Sequence, residues 1–383
     1  MFFDVMRKRI CFVVTVPVAA EWFLRDHFVA LKERYDVYLA SNLTDEKVVE
    51  RLDLTGWHKI DIQREISLTH DLKTLWQTYR YFRRMKFDAI HSVTPKAGLI
   101  AALAGWLAGI KHRTHIFTGQ VWATRQGVMR ALLKAMDKMI ARLDNHLMTD
   151  SKAQRAFLVK EGVLKEGQAM VFANGSINGV NASRFVPDER IRQGMRSEIG
   201  IAEGTLCFIF VGRLNRDKGI GELYAAFDRL ASEVSDVFLL LVGWDEGNFI
   251  GNLPAYSHIE TGRNFHYYGF TTEPERVLNA GDVFVLPTYR EGFSSSLLEA
   301  ACVGMPCIST DVYGVQDAYV VGETGLQCEV GDAETLYQCM RKMYDDRALV
   351  RRMGEKARER ALRDFNVRDI TAAWMGFYQG ILH

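Results

Sequence analysis

Two carboxylates, Glu291 and Glu299, stand eight positions apart in the stretch LPTYREGFSSSLLEAACVGMP, residues 286–306. Between them Gly292 and Phe293 lead into a serine run, Ser294, Ser295 and Ser296, followed by Leu297. The apolar run Asp282–Leu286 reads as a buried parallel strand, and the small-residue pattern after the serines as a helix that stops near Gly304-Met305-Pro306. A helix that begins in the serine run points free N–H groups and the positive end of its dipole outward, an arrangement that favours a phosphate. Gly292 lets a ligand come close to the backbone. Glu291, on the loop before the helix, faces whatever lies beyond the phosphates. Glu299, about one turn in, can accept a pair of neighbouring hydroxyls, as a ribose or hexose offers. Ser296-Leu297-Leu298-Glu299 is also a capping box, in which Glu299 only satisfies the helix start, and both readings stand.

A second charged loop follows another apolar strand, Leu206–Val211. It runs Gly212-Arg213-Leu214-Asn215-Arg216-Asp217-Lys218-Gly219. Two cations five residues apart, Arg213 and Lys218, can straddle a diphosphate, with glycines allowing close backbone approach. Taken alone they are equally two solvated loop charges. Tyr268-Gly269-Phe270 closes a further strand, where an aromatic pair is either core or a flat face for a ring.

These loops need strand–helix units to hold them, and the pattern along the chain supplies them. Strand and helix signals alternate from Ile10 to about Phe172, with strands near Ile10–Val14, Asp36–Ala40, His58–Ile62, Ala89–Ser92, Arg113–Phe117, Asn145–Thr149 and Ala169–Phe172. Residues 174–187, with Asn-Gly at 174 and 178, form the best linker. Alternation restarts at Leu206, with helices expected over Ile220–Ala231, Glu273–Ala280, Ser296–Val303 and Ala333–Asp345. The expected fold class is α/β: two Rossmann-like doubly wound domains facing a cleft. Their expected bounds are 1–187 and 188–365, with a final helix, 366–383, returning to the first domain.

At 383 residues, two domains are the natural expectation. The start of the chain does not read as a secretory signal, because the apolar run after Arg9 is too short. The longest low-charge stretch, 97–110, is too short to span a bilayer. Six cysteines without C-x2-C spacing read as reduced core residues of a cytoplasmic protein. A net charge of +1 conceals an asymmetry: 28 basic against 18 acidic residues over 1–187, and 20 against 29 over 188–383. The basic half is either a solvated surface or points to an anionic partner, whether a phospholipid surface such as the inner face of the cytoplasmic membrane, a lipid diphosphate or nucleic acid; with the family resemblance given below, nucleic acid is not among the expected partners. Residues 129–142 place Lys134, Lys138 and Arg142 at four-residue spacing, either an ordinary surface helix or one lying on an anionic membrane.

The stretch from Pro287 to Asp317 resembles the E-x7-E signature of retaining glycosyltransferase family 4, a GT-B group that uses nucleotide sugars. Gly212–Gly219 is similar to the GRL-x3-KG pattern of that family, which implies that Arg213 and Lys218 bind the donor diphosphate. The resemblance implies roles for Tyr268 and Phe270 over the nucleotide base, and for Glu299, Gly292, Phe293, Ser294, Ser295, Ser296 and Leu297 in holding the donor. Glu291 would hold the transferred sugar. In the first half, His91–Gly98 resembles a cleft-lining segment, giving His91 and Lys96 acceptor-side roles, although Val93 replaces the usual second histidine. Thr118 and Gly119 stand where relatives carry His-Gly, and Val18-Ala19-Ala20-Glu21 replaces the first-loop glycine pair. Gly243-Trp244-Asp245 departs from the usual strand-end glycine motif, and no role is assigned to Trp244 or Asp245. No P-loop, G-x-G-x-x-G or Asp-x-Asp device is found, and no metal site is expected.

The resulting expectation is a metal-independent transferase. It moves a hexose or N-acetylhexosamine from a UDP-sugar to an undecaprenyl-diphosphate-linked or polysaccharide acceptor. Two alternatives stand beside it: a UDP-sugar 2-epimerase on the same fold, and a non-catalytic nucleotide-sugar-binding partner of a glycan assembly complex.

Overall fold

The computed structural model describes residues 7–42, 46–63 and 67–383. It divides into two compact units, residues 1–178 with 367–383, and residues 179–366.

In the first unit, strands β1 (Arg9–Val13), β2 (Asp36–Ser41), β3 (Gly56–Lys59), β4 (Ala89–Ser92), β5 (His112–Phe117), β6 (His146–Thr149) and β7 (Ala169–Met170) form one sheet. Its order is β3-β2-β1-β4-β5-β6-β7, and every pairing is parallel. The crossovers carry α1 (Pro17–Lys32), α2 (Glu46–Leu52), α3 (Leu68–Met85), α4 (Pro95–Ala108), α5 (Gly127–Leu143) and α6 (Lys152–Lys160). Parallel strands are buried on both faces, which is why β1 reads as a short apolar run and not as an alternation.

Helix α1 begins five residues earlier than the apolar spacing suggests, because Pro17 occupies its first turn with a preset φ. The segment Val18–Glu21 is therefore helix and not a loop open to a phosphate: Ala20 is in the core and Glu21 pairs with Arg51 at 2.9 Å.

The second unit repeats the plan. Helix α7 (Glu189–Ile199) leads into β8 (Leu206–Val211), α8 (Ile220–Glu233), β9 (Val237–Val242), β10 (Phe265–Gly269) and α9 (Pro274–Leu278). Then come β11 (Val283–Leu286), α10 (Ser295–Cys302), β12 (Cys307–Thr310), β13 (Gly325–Cys328), α11 (Ala333–Asp345) and α12 (Arg347–Asp364). The sheet order is β10-β9-β8-β11-β12-β13, again all parallel. Strands β8 and β9 are apolar throughout and almost wholly buried. At about 1.5–3 kcal/mol per buried Leu, Val or Phe, they anchor the unit.

The last helix, α13 (Val367–Leu382), buries Ile370, Trp374, Tyr378 and Leu382, one residue per turn, in the core of the first unit. Trp374 donates its indole N–H to the Ile177 carbonyl, and Tyr378 lies against Phe12 and Tyr35. Among the described residues, no helix is long and apolar enough to cross a membrane.

Candidate active site

In an open parallel sheet, the loops that leave two neighbouring strands in opposite directions part at the switch point, and a crevice opens at their carboxyl ends. In the second unit that point lies between β8 and β11. The loop leaving β8 carries Arg213 and Lys218; the loop leaving β11 carries Glu291. Topology alone therefore brings together charged loops more than 70 residues apart in sequence.

The contact between them is tight. Gly219 has φ +70°, and a Cβ there would lie 2.0 Å from the Pro287 carbonyl oxygen, so only glycine lets the β8 loop reach the end of β11. The Asp217 carbonyl accepts from the Tyr289 N–H at 2.8 Å and the Thr288 hydroxyl at 2.9 Å. The Asp217 carboxylate accepts from the Arg290 guanidinium at 2.7 Å. With the two loops clamped in this way, the Lys218 ammonium donates to the Glu291 carboxylate. Both side chains are largely covered, at 17% and 14% exposure, so their attraction is less screened than that of a surface pair. Gly314, after β12, backs Glu291: a Cβ there would lie 2.2 Å from the Glu291 carbonyl oxygen.

Helix α10 starts beside Glu291. Its N-cap, Ser294, makes no side-chain cap bond, and the Ser294 hydroxyl lies 3.2 Å from that of Ser296. Ser295, Ser296 and Leu297 form the first turn, where backbone N–H groups lack intrahelical acceptors. Because the helix opens at Ser295, Ser296 is inside it and the capping box with Glu299 does not form. Glu299 is partly buried, and its carboxylate makes no hydrogen bond or ion pair among the described residues. Burial pushes its carboxyl up to about 7, with Arg184 opposing the rise and Glu275 adding to it. Arg184 in turn bonds the Thr272 carbonyl and the Glu275 carboxylate, which places Glu299 near the segment leaving β10. Gly292 is buried in the loop.

Two expectations need correction. The Phe293 ring turns into the core of the unit and packs on Phe365 at 5.5 Å, so it presents no face to a ligand. His91 is not on a cleft wall. It is fully buried in the first unit, stacked between Phe12 and Trp374, with Nδ1 2.7 Å from the Tyr378 hydroxyl, and burial drives its pKa far down. His115 is buried likewise, 2.8 Å from the Ser92 hydroxyl, its pKa lowered to about 3. Lys96 is in the first turn of α4 and pairs with Asp71 at 2.8 Å. Thr118 and Gly119, just past β5, are half-buried, and the Thr118 carbonyl accepts from Gln154 at 2.7 Å.

Arg213 is exposed and does not join the Lys218–Glu291 pair; it bonds Glu246, at 3.0 Å, across the loop that leaves β9. Asn215 donates to the same carboxylate at 3.1 Å. Glu246 and Gly314 gave no signal in the sequence. Trp244, visible in the sequence only as a departure from a motif, stacks on Phe270 with ring centroids 4.9 Å apart and an interplanar angle of 21°. Both rings are open to solvent, at 57% and 43% exposure. Tyr268 is half-buried against the core, and Phe270 finds its partner, Trp244, on the loop leaving the neighbouring strand β9. Gly243, which carries Trp244 outward, has φ +133°, and a Cβ there would lie 1.8 Å from the Gly212 carbonyl oxygen.

Two family models together cover most of the chain. The model for "glycosyl transferases group 1" matches residues 192–360, and that for the "glycosyl transferase 4-like domain" matches 18–175. The chain is a GT-B glycosyltransferase of family 4. This transferase is 29% identical to the capsular polysaccharide biosynthesis glycosyltransferase CapM of Staphylococcus aureus, over 88% of the chain and 87% of CapM. It is 26% identical to the UDP-Gal:alpha-D-GlcNAc-diphosphoundecaprenol alpha-1,3-galactosyltransferase of Escherichia coli, over 79% and 78% of the two chains. Its fold matches Anabaena HepE, solved in complex with UDP and glucose, with a TM-score of 0.82 at 18% identity, covering 97% of this chain and all of that one.

Proposed function

We propose that this transferase moves a hexose or N-acetylhexosamine, with retention of anomeric configuration, from a UDP-sugar to a lipid-diphosphate-linked or polysaccharide acceptor. The observation that carries the reading is the covered Lys218–Glu291 ion pair at the switch point, beside the start of α10.

Without a ligand, Lys218 is held by Glu291. A diphosphate entering the loop offers Lys218 a stronger anionic partner, and Lys218 moves to it together with the N–H groups of Ser295–Leu297. Glu291 is then released to accept hydroxyls of the sugar beyond the phosphates. Arg213, exposed on the same loop, closes on the diphosphate from its Glu246 partner. As the glycosidic bond breaks, charge builds on the departing diphosphate, and these fixed positive groups stabilise it without a metal ion. Glu299 accepts from the ribose, and the Trp244–Phe270 stack takes the flat face of the base. The E. coli relative acts on a diphosphoundecaprenol-linked sugar, and the basic first half of this chain suits such an acceptor, at the inner face of the cytoplasmic membrane.

The test is release of UDP from a panel of UDP-sugars with undecaprenyl-diphosphate-linked acceptors, followed by mass spectrometry and anomeric analysis of the product. Acceptor-dependent UDP release that persists in EDTA supports the reading. A 2-epimerised sugar formed without acceptor, or binding with no turnover on any acceptor, sinks it.

A further inference from the structure

The loop leaving β9 lies along the loop leaving β8. The Leu214 N–H donates to the Trp244 carbonyl at 2.7 Å, and the Leu214 carbonyl accepts from the Glu246 N–H at 3.0 Å. Leu214 and Asp245 thus form a parallel bridge that continues the β8–β9 ladder. The Asp245 carboxylate folds back on its own loop and accepts from the N–H groups of Gly247, Phe249 and Ile250, at 3.3, 2.8 and 3.0 Å. These backbone bonds and Asp245 fix the course of the loop.

The neighbouring carboxylate, Glu246, turns to the other loop. Its two oxygens accept from Arg213 Nη1 at 3.2 and 3.0 Å, and one of them also from Asn215 Nδ2 at 3.1 Å. The Arg213 and Glu246 side chains are 43% and 34% exposed, and a pair so open to water contributes little to stability. Its larger effect falls on an anion, which must draw Arg213 away from a carboxylate and then lie beside that carboxylate. On the reading above, sugar hydroxyls reach Glu291 when Lys218 leaves it. Glu246 gains no such donor.

Donor and product differ in charge where this matters. The diphosphate of a UDP-sugar is esterified at both ends and carries two negative charges. Transfer leaves the electron pair of the broken glycosidic bond on the terminal phosphate. In free UDP that phosphate has a second ionisable oxygen, with a pKa of about 6, so a third charge is present at neutral pH and above. A site made only of cations therefore binds its product more tightly than its substrate, and the product inhibits. A carboxylate in the same site acts in the opposite sense, because it repels the extra charge.

We propose that Glu246 is a specificity-determining residue of this kind: set against Arg213, it weakens binding of UDP more than binding of the UDP-sugar, and so speeds product release. The proposal rests on the assignment of the donor diphosphate to the loop carrying Arg213 and Lys218.

The experiment is calorimetry at pH 8, without acceptor, using UDP, UDP-glucose and UDP-N-acetylglucosamine on the parent, E246Q, E246D and R213A. E246Q keeps the shape of the side chain and removes its charge. It lowers the Kd for UDP about tenfold, and that for whichever UDP-sugar binds the parent about threefold or less. Added salt shrinks the difference. E246D retains the charge and keeps the parent ratio of the two constants within about twofold. Thermal melting of both variants stays that of the parent, so the altered ratio does not arise from folding. Three results overturn the proposal: a Kd for UDP that E246Q leaves unchanged or raises, which would make Glu246 an orienting partner of Arg213; an equal fall for UDP and UDP-sugar; or the same change in E246D as in E246Q. Any of these with a weakened UDP affinity in R213A leaves the donor site standing. UDP affinity unchanged in R213A takes the diphosphate off this loop and overturns both.

Discussion

The carboxyl ends of the two parallel sheets carry the same kinds of residue to opposite ends. In the second unit the switch point holds Lys218 and Glu291 in an ion pair that a ligand can divide, beside a helix start with no side-chain cap. In the first unit, the histidine that the sequence offers at the corresponding strand, His91, is a core residue between two aromatic rings. Lys96 is tied to Asp71, and Thr15 and Thr94 bond each other at 2.6 Å. One sheet keeps polar groups available at its strand ends, and the other closes them into its own packing. We read this as a division between donor chemistry and acceptor support.

The sharpest way to break that division is to remove one member of the ion pair. K218A takes away a cation that stabilises a leaving diphosphate, and kcat/KM falls by about 10²–10³. E291A loses turnover to a similar degree while UDP affinity is kept or slightly raised, because Lys218 no longer has a competing carboxylate. Steady-state kinetics and calorimetry with UDP measure the two effects. Full activity in either variant would remove the donor site from the switch point.

The first unit answers differently. H91A empties a site lined by Phe12, Trp374 and Tyr378 and destabilises the chain by about 3 kcal/mol, as other large-to-small aromatic core changes do. Chemical denaturation measures that cost. The kcat/KM of the folded fraction stays within about twofold, since a structural residue acts on the population and not on the chemistry. A hundredfold loss of kcat/KM with the melting curve unchanged would instead return His91 to a catalytic role.

A smaller effect belongs to Glu299. Its carboxyl is held protonated up to about 7 by burial, whereas donor hydroxyls are best accepted by the ionised form. Affinity for a UDP-sugar is therefore highest above pH 7 and falls by up to about tenfold per pH unit below it, as the unliganded carboxyl takes up its proton. E299Q lowers the affinity at pH 8 and flattens the profile. A parent profile already flat between pH 6 and 8 would assign Glu299 a packing role only.

Much of this contrast was legible in the chain. Strongly apolar segments such as Leu206–Val211 and Val237–Val242 announce buried parallel strands, and the charged loops after them announce the ligand end. Two elements escaped for physical reasons. Helix α7 buries only Met195 and Ile199 in 11 residues, too few to set a period, and β13 is four residues long with Gln327 exposed. The core placement of His91 was illegible because its partners, Trp374 and Tyr378, arrive from the other end of the sequence. Phe293 misled because successive residues on a turn point in different directions, and its ring is the one that turns inward.

Trp244 escaped for another reason: a departure from a family pattern says what is missing, not what has been gained. Here the loop leaving β9 carries an exposed aromatic side chain. It is held outward by Gly243 and by a bond from the Leu214 N–H to its carbonyl at 2.7 Å, on the rim shared with Arg213. Its stack with Phe270 leaves both rings half in water, a state that gains when a flat ring covers them. W244A should therefore raise the Kd for UDP by about fivefold, roughly 1 kcal/mol of lost stacking, with kcat at saturating donor unchanged. W244F restores most of the affinity, because an aromatic face is what the base requires. If UDP binds W244A as tightly as the parent but KM for the acceptor rises, the platform serves a sugar ring of the acceptor, and the line between donor and acceptor units would have to be redrawn through β9 and β10.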